Sequence, residues 1–326
     1  MKILLTGSTG FVGQHLMPRL KKNGHSVIEL KSDLRNHSGV KDEVLHYDPD
    51  LVIHLAAKTE VAKSFYEPIE FSEVNYVGTV NLINACCELK NLKNFMFAST
   101  MEVYGWQPIS DVVKQGHIPE TIPIFDENTT PNPNAPYAVA KYACEKYLEY
   151  AHRSMGLPFC ALRQTNSYGR TDNNFFVVEQ IISQMLSNET EIYLGYKEPY
   201  RNFLFINDLI DLWTNLVENY KFVDNGCIFT IGPNNPIKIE ALAKKISGML
   251  NWEGDIFWNK KAPRCGEIYV LNSDHKLISS LVDWQPVTSL DQGLEKTINI
   301  WRSKYRDEKK SISFPTAIFD KIQQQF

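Results

Sequence analysis

The chain has 326 residues, 43% of them hydrophobic and 22% charged, with a net charge of −4. That length holds one large α/β domain or two lobes with a full core. The near-neutral balance lacks the basic patch or polybasic run that nucleic acid or a membrane surface selects, so neither is an expected partner. No apolar stretch approaches the ~18 residues of a membrane-spanning helix, and the first apolar run is too short for a secretory signal. A cytoplasmic location is expected. The six cysteines, Cys86, Cys87, Cys144, Cys160, Cys227 and Cys265, form no Cys-x-x-Cys pair and read as free thiols, most of them buried. Eight scattered histidines lack ligand spacing, so no metal site is expected.

The chain opens with Ile3-Leu4-Leu5, a continuous apolar run suited to a buried parallel strand, and then places glycines at Gly7, Gly10 and Gly13. This spacing, after a strand and before a helix over Phe11–Asn23, marks a phosphate-cradling turn. Glycine permits the tight turn and lets backbone N–H groups approach a pyrophosphate, which sits on the helix N-terminus. Pro18 lies inside that helix and is expected to weaken or kink it, at a cost of up to ~3 kcal/mol. A second strand is expected at Ser26–Leu30, a helix at Gly39–Tyr47 and a third strand at Leu51–Leu55. A helix over Val74–Leu89 and a strand over Phe95–Ala98 follow. This alternation predicts an α/β fold, a Rossmann-type doubly wound parallel sheet with right-handed crossovers. Ligands in such sheets lie at the carboxyl ends of the strands, which singles out Lys31 and Asp33, Lys58 and Thr59, and Ser99 to Glu102.

Residues Trp106–Ala135 are rich in proline, threonine and asparagine and read as a long functional loop. Pro136-Tyr137 opens a helix running to about Ser154; a strand follows at Phe159–Arg163, then a polar turn at Gln164–Thr171. Beyond Asn173 the pattern is less regular. An NAD(P)-binding domain is expected over 1–165 with returning segments from the C-terminal half. A smaller C-terminal α/β substrate lobe covers 166–305, and 306–326 forms a tail or surface helix. Tyr137 and Lys141 lie four apart at a helix start and share one face. A lysine ammonium close to a tyrosine lowers the phenol's pKa and equips it for acid–base work near neutral pH. Alone, such a pair is common by chance and reads as a solvated helix face. Its coincidence with Ser99-Thr100 and the glycine turn is far more specific.

Thr6–Gly13 (TGSTGFVG), His54-Leu55-Ala56-Ala57, Ser99–Gly105 (STMEVYG) and Tyr137–Lys141 (YAVAK) resemble the extended short-chain dehydrogenase/reductases, in their nucleotide-sugar epimerase/dehydratase branch. The resemblance continues through Arg163–Gly169, Arg201–Asp208, Pro263–Glu267 and Trp284-Gln285-Pro286. It implies NAD(P)-dependent oxidoreduction at C4 of a nucleotide-activated hexose, by an epimerase or a 4-ketoreductase. It also implies a homodimer, paired through the Val74–Leu89 and Tyr137–Ser154 helices. Thr100 would hydrogen-bond the reacting sugar oxygen, Tyr137 would exchange its proton, and Lys141 would hold the nicotinamide ribose and tune Tyr137. On the substrate side the resemblance points to Ser99, to Asn166 near the phosphates, and to Arg201 and Arg264 as guanidinium clamps. On the cofactor side it points to Gly7, Thr9, Gly10, Phe11, Val12 and Gly13, then Lys31, Asp33 and Leu34. Leu55, Ala56, Ala57, Lys58, Asn75, Ala98, Tyr137 and Lys141 complete that set.

Three departures from the family pattern shape the reading. Lys31 stands where many NAD-binding members carry an acid for the adenosine ribose, and a cation there suits a 2′-phosphate, so NADP is favoured over NAD. Asp33, about twenty residues past the last glycine, is the alternative ribose ligand; the preferred reading gives Asp33-Leu34 to the adenine. Thr100-Met101-Glu102 replaces the Thr-Asp-Glu of many 4,6-dehydratases. Met101 cannot donate a proton, but Glu102 could still take one from the sugar's C5, so dehydration stands as an alternative. The short link from Lys31 to the third strand matches reductases of 4-keto-6-deoxy sugars, and the Trp106–Asn134 loop is longer than usual. The alternative of another class is a non-catalytic dinucleotide sensor or scaffold. Such sensors often lose the tyrosine or the lysine, and this chain keeps both.

Overall fold

The apolar runs of the N-terminal half become strands buried on both faces, except the half-exposed edge strand Ser26–Glu29. They are β1 (Lys2–Thr6), β2 (Ser26–Glu29), β3 (Leu51–His54), β4 (Asn94–Thr100) and β5 (Phe159–Gln164). The computed structural model describes residues 1–188, 190–223, 225–259 and 266–309, with side chains as far as Tyr305. A sixth strand, Asn225–Ile231, returns from the C-terminal half to pair with β5. The sheet order is that strand, then β5, β4, β3, β1 and β2, parallel throughout.

Side-chain alternation along β1 decides how the sheet is covered. Ile3 and Leu5 pack with Leu16 and Leu20 of α1 (Phe11–Lys22), whereas Leu4 packs with Val40 and Val44 of α2 (His37–Tyr47). The chain therefore leaves β1 over one face and returns to β3 over the other, and strand order reverses between β1 and β3. A crevice opens at the carboxyl ends of strands where the order reverses. α1 runs through Pro18 to Lys22. Leu16 and Leu20 on either side are fully buried, so tertiary packing holds the turn.

Three expectations change. The helix expected from Val74 begins at Pro68, passes through a π-helical turn at Glu73–Val77 and continues as Gly78–Cys87. The Trp106–Ala135 segment contains a helix, Pro108–Lys114. Pro108 occupies its first turn, where proline's missing N–H costs nothing, and Trp106 Nε1 donates to Asp111 at 3.3 Å. The first residues of 306–326 belong to the Leu290–Lys309 helix; 310–326 lie outside the described residues.

Among the described residues the C-terminal half adds three small sheets, one of them Glu191–Tyr193 paired with Asp255–Phe257. Tyr200–Arg201 pairs with Ile237–Lys238 and Val270–Leu271, and Asn166–Tyr168 pairs with Phe203–Phe205. Among the described residues no helix is long and apolar enough to cross a membrane, and none of the His, Cys, Asp and Glu side chains form a metal-binding cluster.

Candidate active site

The glycine turn packs backbone directly against backbone. Gly7 has φ +72°, and a Cβ there would lie 2.6 Å from the Ala56 nitrogen; one at Gly13 would lie 2.1 Å from the Gly7 carbonyl oxygen. Gly10 caps α1 without a side-chain hydrogen bond. The first-turn amides, at Phe11 and Val12, thus carry their partial positive charge toward the crevice beside Thr9, an arrangement that fits a dinucleotide pyrophosphate.

At the end expected to hold the adenosine, the structure adds a residue that the sequence motifs do not single out. Glu29 is the last residue of β2, paired with Leu5 of β1. Its carboxylate binds the Lys31 ammonium at 2.6 Å and reaches Ser8 of the glycine turn; Lys31 above all, through hydrogen bond and charge, holds its pKa down. Lys31 itself is exposed. Asp33 is forked by Arg35, with Nη2 to Oδ2 at 2.6 Å, and that pairing holds its carboxyl down at about 2. Leu34 packs inward, its carbonyl accepting from Asn81 Nδ2 at 2.9 Å. Both acidic groups thus already hold cations, and a ribose or 2′-phosphate would compete with those pairs.

The Leu55-Ala56-Ala57-Lys58 loop leaves β3 across the crevice. Asn75, expected to touch cofactor, instead spends both arms of its amide on this loop. Its Oδ1 accepts from the Lys58 N–H at 2.8 Å and its Nδ2 donates to the Lys58 carbonyl at 2.9 Å. The Lys58 ammonium binds Glu70 and Glu67 at 2.6 and 3.0 Å. Behind the loop, His54 is fully buried, and burial, helped by the Lys141 charge, pulls its pKa down to about 3. A histidine that folds neutral contributes stability fully present above its unfolded pKa of about 6.5 and lost as pH falls toward the folded value. The unfolding free energy from urea denaturation is expected to drop by about 1.5 kcal/mol between pH 6.5 and 5, a slope that His54→Asn should flatten.

The reactive end lies where β4 meets the Pro136–Met155 helix. Thr100 ends β4, its Oγ1 accepting from the Glu102 N–H at 3.2 Å. Its hydroxyl lies close enough to the buried Tyr137 phenol to favour ionisation, yet burial first, and then the Glu102 charge, raise the Tyr137 pKa. Lys141 does not offset this as expected. Its ammonium donates to the Ala98 carbonyl at 2.8 Å and sits 4.6 Å from the Phe97 ring centroid. Burial pulls Lys141 down to about 8, with Cys144 and Glu145 pushing the other way. Ser99 also takes a different partner from the substrate role expected. Its hydroxyl donates to Glu145 Oε1 at 2.5 Å, and Glu145 pairs with Arg163 at 2.8 Å.

Of the clamp residues, Arg201 donates to the Tyr200 and Ile268 carbonyls and to Glu267 at 3.2 Å, so a substrate phosphate would need to displace some of those contacts. Arg264 and Cys265 lie outside the described residues. Asn166 Nδ2 makes a long 3.5 Å contact with the Asn202 carbonyl and stays partly exposed. Met101 is buried among Tyr104, Val113, Phe125 and Tyr269. The polar pairs Glu29–Lys31 and Glu145–Arg163 escaped sequence reasoning. Glu29's strand-end position was the one available signal.

The family model for the NAD dependent epimerase/dehydratase family matches residues 3–232. The chain belongs to that family. Its members are extended short-chain dehydrogenase/reductases acting on nucleotide sugars. The chain is 28% identical to a Methanocaldococcus jannaschii protein named "Putative UDP-glucose 4-epimerase", over 93% of this chain and 99% of that relative. It is 26% identical to the Escherichia coli dTDP-glucose 4,6-dehydratase, over 92% and 93% of the two chains. The Thermotoga maritima UDP-glucose 4-epimerase solved with UDP-glucose superposes with a TM-score of 0.80 at 26% identity, covering 93% of this chain and 99% of that one. The family is thus one of enzymes that bind NAD(H) or NADP(H), on the same doubly wound fold.

Proposed function

We propose that this chain catalyses NAD(P)-dependent oxidoreduction at C4 of a nucleotide-activated hexose, as an epimerase or a 4-ketoreductase. The observation that carries it is the Thr100 hydroxyl set against a buried, protonated Tyr137 phenol at the end of β4, with Lys141 one turn further along the helix. A bound dinucleotide supplies hydride exchange with the sugar carbon. The chain's own groups do the rest. Thr100 fixes the sugar O4, and Tyr137, held neutral by burial, donates its proton to a carbonyl oxygen there; the phenolate so formed takes a proton back when an alcohol at that position is oxidised. Lys141 spends one of its three N–H donors on Ala98 and keeps two for ribose hydroxyls.

NADP(H) is the favoured cofactor, since the exposed Lys31 ammonium can turn from Glu29 to a 2′-phosphate. A homodimer is supported by exposed Ile69 and Val77 on the 68–87 helical segment and exposed Val139 and Tyr150 on the Tyr137 helix. Dehydration is the second reading, favoured by one observation: the Glu102 carboxylate acts on Tyr137 and so lies beside the sugar position. Met101, packed into an apolar cluster, offers that route no acid.

Denaturing the purified protein and identifying released dinucleotide tests the proposal. Retained dinucleotide with C4-inverted product is the epimerase outcome. An empty site that consumes NADPH with a 4-keto nucleotide sugar is the reductase outcome. A 4-keto-6-deoxy product without added reductant would replace both with dehydration, and inactivity across nucleotide hexoses would sink the reading.

A further inference from the structure

The crevice between β1 and β3 is closed from behind by a chain of hydrogen bonds that touches none of the reacting groups. The Ala56 N–H donates to Thr6 Oγ1 at 3.1 Å, and Thr6 Oγ1 lies 2.6 Å from His54 Nδ1. His54 Nε2 lies 2.8 Å from Thr79 Oγ1, and Thr79 Oγ1 donates to the Asn75 carbonyl at 2.6 Å. These bonds run in one direction. Because the Thr79 proton goes to Asn75, its oxygen accepts from His54, so the imidazole carries its proton on Nε2 and takes the Thr6 proton on Nδ1. Every member is satisfied, which is the condition under which a buried polar network rigidifies.

Both ends of this chain reach backbone that the dinucleotide approaches. Thr6 immediately precedes Gly7, whose Cα is packed against Ala56. Asn75 sits in the π-helical turn Glu73–Val77, and its side chain holds both backbone groups of Lys58. Such turns recur at functional sites.

We propose that His54 and Thr79 are positioning residues for dinucleotide binding, fixing the spacing between the glycine turn after β1 and the Ala56–Lys58 loop after β3. The proposal rests on the dinucleotide site and is independent of which sugar is used. Preorganised loops bind more tightly because less motion is lost on binding.

Thr79→Val keeps the shape and removes the hydroxyl, breaking the chain between His54 and Asn75. Its dissociation constant for NADP(H) or NAD(H), measured by calorimetry without sugar, is expected to rise about five- to tenfold. The sugar KM, and kcat at saturating dinucleotide, should stay near wild type. Thr79→Ser should restore wild-type binding. His54→Asn, which keeps an acceptor toward Thr6 and loses the donor toward Thr79, should match Thr79→Val and decides the question if that variant folds poorly. Unchanged dinucleotide binding in these variants, with only the denaturation midpoint lowered, would overturn the positioning role. A wild-type protein binding neither dinucleotide would instead overturn the site itself, and the role with it.

Discussion

Tyr137→Phe is expected to lower kcat by about 10³-fold while leaving the fold and dinucleotide affinity intact. The phenol is a proton donor placed against Thr100 in the buried β4 end, and acid–base groups contribute typically 10²–10⁴-fold. Burial and the Glu102 charge raise the Tyr137 pKa, so at neutral pH the group enters the reaction protonated. Phenylalanine retains the packing of a side chain only 7% exposed and removes only the proton and its hydrogen bond. Steady-state assays with dinucleotide titrated separately from sugar check the expectation. A variant with kcat within threefold of wild type would show that the proton comes from elsewhere, and Glu102 would be the next group to remove. Thr100→Val should fall between the two, because it loses the hydroxyl that orients the sugar oxygen but keeps the acid.

The parts legible in the sequence were those whose physics is local. Gly7, Gly10 and Gly13 announce a turn because Gly7 and Gly13 occupy space that a Cβ could not, and one at Gly10 would crowd the Gly7 carbonyl oxygen. The alternation of β1 to β4 with helices fixed the sheet's direction before any contact was known. What escaped depends on partners far along the chain or on context that inverts a signal. Ser99 read as a substrate contact because nothing near it says that Glu145, 46 residues on, takes its hydroxyl. Lys141 read as Tyr137's partner because i and i+4 share a face, yet the Ala98 carbonyl from β4 captures its ammonium. Pro108 reads with its neighbours as loop chemistry, although proline suits the first turn of a helix. Asn225–Ile231 joins the sheet some sixty residues after β5, a return that periodicity alone does not address.

Glu145→Ala carries the largest expected cost in stability, about 3–5 kcal/mol. Glu145 is fully buried and its carboxylate receives Arg163 Nη2 at 2.8 Å, Arg163 Nε at 3.1 Å and the Ser99 hydroxyl at 2.5 Å. Burial alone would depress the Arg163 charge; the hydrogen bonds and charge of Glu145 outweigh it and raise the Arg163 pKa. Alanine leaves that guanidinium desolvated and unpaired except for Tyr104, whose hydroxyl it meets at 3.3 Å. The cost therefore belongs mainly to the stranded charge, so adding Arg163→Met should recover much of it. Urea denaturation of both singles and the double measures this directly, and strictly additive losses would refute the pairing. Glu145→Gln separates stability from chemistry. It keeps the shape and removes the negative charge that helps hold the Lys141 pKa up against burial. The Lys141 pKa, already drawn down to about 8, should fall further, and the limb of the kcat/KM profile that tracks its charge should move to lower pH. A profile that stayed in place would mean that Glu145 only supports the β4 end and has no electrical hold on the lysine beside the reacting sugar.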